Sequence, residues 1–151
     1  MKIEVLPDAD AVAASAAVLI AAEAHEVIEA RGAFVLAVSG GRTAGDPDRN
    51  LTHLRASLMD LAPIPAANLH PMPVEAADPE AAAAEYAREL ERLCGSPMVI
   101  DLIHLGLGPD GHTASLVPGD SVLNVTDRDV ALTGGLYQKR RRMTLTYPAL
   151  N

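Results

Sequence analysis

The sequence predicts an α/β layer fold with a mostly parallel sheet. Two Ala-rich stretches carry helix-capping signals, one continuous apolar run reads as a strand buried on both faces, and a second, largely apolar run reads as another strand. Helical and strand patterns alternate along the chain, as crossover-connected parallel strands require. Each apolar run also leads into a glycine-rich loop. Ligands in such folds bind beyond the carboxyl ends of the strands, so both loops are expected on one edge, as one site.

The elements follow in order. Lys2 to Leu6 alternates like a short strand. Asp8 or Asp10 can cap a long helix that runs to about Ala30 and ends at Arg31-Gly32. Ala33 to Val38 (AFVLAV) is a strand candidate, followed by the loop Ser39-Gly-Gly-Arg-Thr-Ala-Gly45. Asp46-Pro47-Asp48 is turn chemistry, and Asn50 to Leu61 reads as a helix. Pro63 to Pro73 is a loop with a short strand around Asn68 to Met72. Asp78 is the N-cap of a second Ala-rich helix, with Pro79 in its first turn and its end near Cys94-Gly95. Met98 to Leu105 (MVIDLIHL) is the second strong strand. The loop Gly106-Leu-Gly-Pro-Asp-Gly-His-Thr-Ala-Ser-Leu116 follows, with a short helix beginning over Thr113 to Leu116. Asp129 to Leu132 and Arg142 to Thr146 are weaker strand candidates.

Composition narrows the class. A chain of 151 residues fits one domain burying roughly 70% of its unfolded surface. Aromatics are 3%, with no Trp and one Phe, so the core rests on Ala, Leu, Val and Ile and little aromatic surface can stack on sugars or bases. The net charge of −8 argues against a broad surface for nucleic acid or anionic lipid. One phosphate can still be held by a few local cations. Cys94 is the single cysteine and has no internal disulfide partner, so a reducing cytoplasm is the simpler setting. The opening MKIEVLPDAD has acids where a signal peptide needs an apolar run, and no stretch approaches about 18 uninterrupted apolar residues, so no membrane partner is expected.

Three chemistries compete for the loop at 106–116. Gly106, Gly108 and Gly111 fit G-x-G-x-x-G after a strand, the pattern of a dinucleotide-binding loop. Against it, Asp110 would repel a pyrophosphate, and Pro118-Gly119 cuts short any helix after Gly111. A tight turn without chemistry would use the same glycines. A metal site built from His104, Asp110 and His112 is disfavoured because His104 lies within the strand. His112 shifts the balance towards catalysis. At the start of a helix its ring would stay neutral and able to accept a proton, nearby free N–H groups could stabilise an oxyanion, and Asp110 could orient the ring. His25, His53 and His70 read as surface or capping residues, and Lys139, Arg140 and Arg141 as a solvated basic cluster.

The stretch LGLGPDGHTASLVPG closely resembles the signature of 6-phosphogluconolactonases, within the broader group that includes glucosamine-6-phosphate deaminases/isomerases. Three further stretches match in order. Val38-Ser-Gly-Gly-Arg-Thr43 is similar to the family's phosphate loop. Asp48-Arg-Asn50, followed by a helix and Pro63-Ile-Pro65, resembles the region after the family's catalytic strand. Arg142-Met-Thr-Leu-Thr-Tyr-Pro-Ala-Leu-Asn151 resembles its R-x-T-L-T segment. The resemblance implies a Rossmann-like three-layer sandwich and metal-free, cofactor-free hydrolysis of 6-phosphogluconolactone to 6-phosphogluconate in the pentose phosphate pathway. It implies His112 as the base that activates water and Asp110 as its support. Ser39, Gly40, Gly41, Arg42 and Thr43 would hold the phosphate together with Arg142, while Asn50, Gly108 and Gly111 line the site. Arg42 stands where the family usually has a small hydroxyl residue, so it either adds charge or faces solvent.

The chain departs from the family in two places. The helix and strand that normally follow the phosphate loop, ending in an acidic-acidic-arginine motif, are missing after about residue 45, and the family continues beyond Asn151. The sheet is therefore expected to be incomplete, with exposed apolar surface. The chain can be joined pieces of a longer protein, a shortened paralogue, or one completed by another copy. The close match of the remaining stretches favours the first, and a chain truly this short is expected to have weak or no activity. An amino-sugar-phosphate deaminase or isomerase is the runner-up, but that group carries a carboxylate soon after its histidine, and here none occurs between His112 and Asp120. A non-catalytic sugar-phosphate-binding module is the third reading. Oligomeric state is not encoded in any motif of this chain.

Overall fold

The computed structural model describes residues 3–39, 64–137 and 139–151. Its elements are α1 (Ala9–Arg31), β1 (Leu36–Val38), a 3₁₀ turn (Ala66–Asn68), α2 (Pro79–Cys94), β2 (Leu102–His104), a second 3₁₀ turn (Ser121–Asn124), β3 (Val130–Leu132), β4 (Met143–Leu145) and α3 (Tyr147–Leu150). The chain forms two compact units, one of Met1–Ala37 with Ile100–Leu102, the other of Val38–Val99 with Ile103–Asn151.

The first unit is built on α1, whose ends match the capping signals. Asp8 accepts a 2.8 Å hydrogen bond from the Ala11 N–H, and Gly32 closes the helix with φ 81°, a conformation that glycine adopts without a Cβ clash. Arg31, in the last turn, pairs with Asp101. The other carboxylate oxygen of Asp101 accepts from the Val35 N–H at 2.7 Å. Asp101 is thus a buried tie between the end of α1 and the start of β2. No α1 residue is buried, and its most apolar 18-residue window has a mean hydropathy of 1.6. By length and composition alone α1 can cross a membrane, a test that an Ala-rich core helix also passes. This qualifies the sequence reading, which counted only uninterrupted apolar runs.

β1 and β2 pair as a small parallel sheet. The second unit contains an antiparallel pair, β3 with β4, in the register Val130 to Leu145, Ala131 to Thr144 and Leu132 to Met143. The described residues therefore form α/β structure with two two-stranded sheets rather than one mostly parallel sheet. The reason is local: only ten residues separate Leu132 from Met143, too few for the helical crossover that parallel strands need.

α2 packs on β3 through the face carrying Ala82, Ala83, Tyr86 and Leu90. Asp78 caps it at 3.0 Å and Pro79 opens it, as the sequence predicts. The Tyr86 hydroxyl donates to the His70 carbonyl at 2.9 Å, while His70 Nδ1 lies 2.7 Å from Glu89 Oε1. Burial, then the charges of Glu89 and Cys94, push the Tyr86 hydroxyl pKa up to about 12. Leu116, Val122 and Ala131 form a second cluster, covered by Leu123, Val125 and Leu150.

Several expected elements are shorter or different. Both strong strands shrink to three residues. Residues 3–6 form no strand, because nothing pairs with that alternating run among the described residues. The strand expected around Asn68 to Met72 is replaced by the Ala66–Asn68 turn and extended chain. Thr113 to Leu116 is not a helix but a tight turn closed by a bridge between those two residues, with Ala114 at φ 50°. The Asn50 to Leu61 helix lies outside the described residues.

Candidate active site

Ser39 leaves the end of β1 and the 106–116 loop leaves the end of β2, its hydrogen-bonded neighbour. The Ser39 hydroxyl donates to the carbonyl of His104, the last residue of β2, at 3.3 Å. The described ends of β1 and β2 thus meet side by side, as in a parallel pair. Gly40, Gly41, Arg42, Thr43 and Asn50 lie outside the described residues.

The second loop folds around its histidine. The Gly108 N–H donates to the His112 carbonyl at 2.8 Å, and the Gly111 N–H donates to the Gly108 carbonyl at 3.0 Å. Gly111 sits at φ 85°, where a side chain would be strained. The Thr113 hydroxyl donates to the Gly106 carbonyl at 2.8 Å and fastens the base of the loop. Inside it, His112 Nδ1 lies 2.5 Å from Asp110 Oδ1, which also accepts from the His112 N–H at 3.3 Å. A Cβ on Gly108 would overlap the His112 ring at Cε1 and Nδ1 and stand 2.7 Å from that carboxylate oxygen. The absence of a side chain at Gly108 is what makes room for the pair.

The bond from His112 holds the Asp110 carboxyl below its ordinary pKa, against the opposing effect of burial. An ionised carboxylate only accepts, so the proton of a neutral ring belongs on Nδ1 and the lone pair on Nε2. The His112 side chain is 26% exposed, which leaves the ring open to water or a small ligand. The arrangement is that of an oriented general base. The helix end expected to bias this ring is absent, and the Asp110 carboxylate takes over its orientation.

Arg142 immediately precedes β4. Its N–H donates to the Thr133 hydroxyl at 2.9 Å and its carbonyl accepts from the Thr133 N–H at 2.9 Å. Its side chain is half-buried and makes no hydrogen bond or ion pair among the described residues. Arg141 is exposed, as the sequence predicts, and is also tied down. It pairs with Glu80 and donates through Nε to the Thr133 carbonyl at 2.6 Å, because α2 brings an acid to its side.

Sequence reasoning missed Asp120 as a structural centre. Its buried carboxylate accepts from the N–H groups of Val122 (2.8 Å), Gly134 (2.8 Å) and Gly135 (2.9 Å) and from the Tyr137 hydroxyl (2.9 Å). Burial alone would raise its pKa, but these four bonds outweigh burial and hold it at about 2. The same bond raises the Tyr137 pKa, followed by burial and the charges of Asp120 and Asp110. The legible signal for Asp120 was its place after Pro118-Gly119 and before an apolar turn, an N-cap pattern. Nothing in the sequence pointed to Gly134 and Gly135 as its partners. Among the described residues, no group of three or more His, Cys, Asp or Glu side chains is placed to hold a metal ion.

The site and the fold together define an α/β protein with a glycine-loop histidine–carboxylate pair. The sequence profile described as glucosamine-6-phosphate isomerases/6-phosphogluconolactonase matches residues 43–151, and the chain belongs to that family. It is 45% identical over 109 residues to a 6-phosphogluconolactonase of Synechocystis, a match covering 70% of this chain and 45% of that relative. A 6-phosphogluconolactonase of Nostoc is 32% identical over 182 residues, covering 99% of this chain and 75% of that protein. The first relative is thus spanned over less than half its length. A crystal structure of a 6-phosphogluconolactonase from Shewanella baltica superposes with a TM-score of 0.75 at 24% identity, covering 96% of this chain and 74% of that one. That likeness speaks for the fold.

Proposed function

We propose that this protein hydrolyses 6-phosphogluconolactone to 6-phosphogluconate. The observation that carries the proposal is the Asp110–His112 pair, 2.5 Å apart in a loop whose Gly108 leaves space for it. His112 Nε2 takes a proton from water as the water oxygen attacks the lactone carbonyl carbon. The tetrahedral intermediate then collapses, the bond from the carbonyl carbon to the ring oxygen breaks, and the imidazolium returns its proton to that oxygen. The sum is one water added across one ester bond. Asp110 keeps the ring in the tautomer that can accept and stabilises the imidazolium. Ser39, Gly40, Gly41, Arg42, Thr43 and Arg142 hold the phosphate, largely through N–H groups and guanidinium charge, and Asn50 and Gly111 line the pocket. The chemistry asks for no cofactor and no metal.

The wider reading is a Rossmann-like three-layer sandwich in the cytoplasm, lacking one internal unit after about residue 45. The Nostoc match supports the last point: it runs over 182 residues while taking in 99% of a 151-residue chain, as a relative with an extra segment of about 30 residues would require. The deaminase or isomerase reading is weakened by Asp120. It is the first acid after His112, and its carboxylate is already engaged by four donors.

The test is proton release on adding 6-phosphogluconolactone, measured above spontaneous hydrolysis, with His112→Ala beside the unaltered protein. Accelerated release that falls to background in the variant supports the assignment. Binding of 6-phosphogluconate without turnover makes the chain a sugar-phosphate-binding module. Ammonia released from glucosamine 6-phosphate overturns the assignment in favour of the deaminase.

A further inference from the structure

We infer that Thr144 is a positioning residue, whose hydroxyl sets the placement of the His112 loop relative to the strand that carries Arg142. The inference rests on the hydrolase reading above and extends it to a residue outside the loop. Thr144 lies in the middle of β4 and is only 2% exposed. Its Oγ1 accepts from the Ser115 N–H at 3.1 Å and donates to the Leu145 carbonyl at 2.9 Å. Both lone-pair and proton capacity are therefore used, in a place that water does not reach.

Ser115 is the far end of the catalytic loop. It sits in the turn closed by the Thr113–Leu116 bridge, with the Leu116 N–H donating to the Thr113 carbonyl at 2.9 Å. That turn begins one residue after His112, and Leu116 beyond it is buried against Val122 and Ala131. On the other side, Arg142 stands two residues before Thr144, and its backbone makes two hydrogen bonds to Thr133, one with the hydroxyl and one with the N–H. The general base and the proposed phosphate cation thus sit on two separately anchored segments. The Ser115–Thr144 bond is a direct polar link between them. Ser115 is itself 5% exposed, so its N–H has no solvent to turn to when the hydroxyl is removed. The loop must then shift to find another acceptor. A displacement near 1 Å of a catalytic group costs on the order of a hundredfold in rate, while a phosphate site left intact keeps its affinity.

The test compares Thr144→Val, which keeps shape and loses the hydroxyl, with Thr144→Ser, which keeps the hydroxyl. Expected for Thr144→Val is a kcat lowered roughly ten- to a hundredfold, with KM and 6-phosphogluconate affinity within about threefold of the unaltered protein. Thr144→Ser should recover most of the kcat. A folded Thr144→Val with unchanged kcat overturns the inference, as does an equal loss in both variants. The His112 ring ¹⁵N shifts provide a readout independent of turnover. They should move in Thr144→Val and not in Thr144→Ser, even if the unaltered chain proves inactive and the hydrolase reading falls. If Thr144→Val does not fold, hydrogen exchange of the Ser115 amide in the unaltered protein decides. Slow exchange supports the link, and exchange at the rate of an open chain overturns it.

Discussion

Gly108→Ala isolates the geometry of the dyad from its chemistry. The substitution adds one methyl group and alters no titratable atom. Gly108 is not among the left-handed glycines, so alanine can adopt its backbone. The new Cβ, however, would overlap His112 Cε1 and Nδ1 and approach Asp110 Oδ1 to 2.7 Å, where ordinary carbon contacts need about 3.5 Å or more. The ring must therefore move by more than about 1 Å, which breaks the 2.5 Å bond between Nδ1 and the carboxylate. A mispositioned base of that size costs about a hundredfold in rate, or about 2.7 kcal/mol of barrier. The loop is open to solvent, so the ring can swing outwards and the fold should lose less than about 1 kcal/mol. The assay is kcat/KM from proton release, paired with a thermal melt. Gly106→Ala is the control, because a Cβ there meets nothing within 4 Å. A folded Gly108→Ala that keeps a third or more of the normal kcat/KM would refute the steric account, as would an equal loss in Gly106→Ala.

Two other perturbations follow from the carboxylates. Asp110→Asn can donate to Nδ1 and so place the ring proton on Nε2, where it blocks proton acceptance. A kcat lower by roughly 10²- to 10⁴-fold is expected with an unchanged melt, and a variant with normal kcat would remove Asp110 from the mechanism. The bond from His112 depresses the Asp110 pKa. Its contribution is therefore complete above the unfolded carboxyl value of 3.8 and is lost as the pH falls through the lower folded value. Asp120→Ala should destabilise the second unit by about 2 kcal/mol, because it leaves the Val122, Gly134 and Gly135 N–H groups without their acceptor. Its folded pKa of about 2 makes the native contribution full above 3.8 and lost as the pH falls through 2. An acid titration of the melting temperature should therefore flatten across that range in the variant, and an unchanged acid limb would count against Asp120 as an anchor.

The capped helices were legible from local residues alone. Asp8 with Gly32, and Asp78 with Pro79, are local chemistry that needs no partner from elsewhere in the chain. The His112 loop is equally local, because the Asp110–His112 pair closes over two residues and Gly108 makes its room within the same turn. Features that depend on distant partners were not legible in this way. The strand at Lys2 to Leu6 had the right alternation but no described neighbour to pair with, and propensity alone does not make a strand. In place of a helix after His112 there is a turn, and a buried hydroxyl on β4 captures its Ser115 N–H across 29 residues of sequence. Asp120 became an anchor because the Gly134–Gly135 turn aims two N–H groups at it from 14 and 15 residues away. Arg141 stays at the surface but pairs with Glu80, 61 residues distant. Composition and periodicity record which groups a segment offers; which group answers them is settled by packing, and for the Ser115 amide that answer was Thr144.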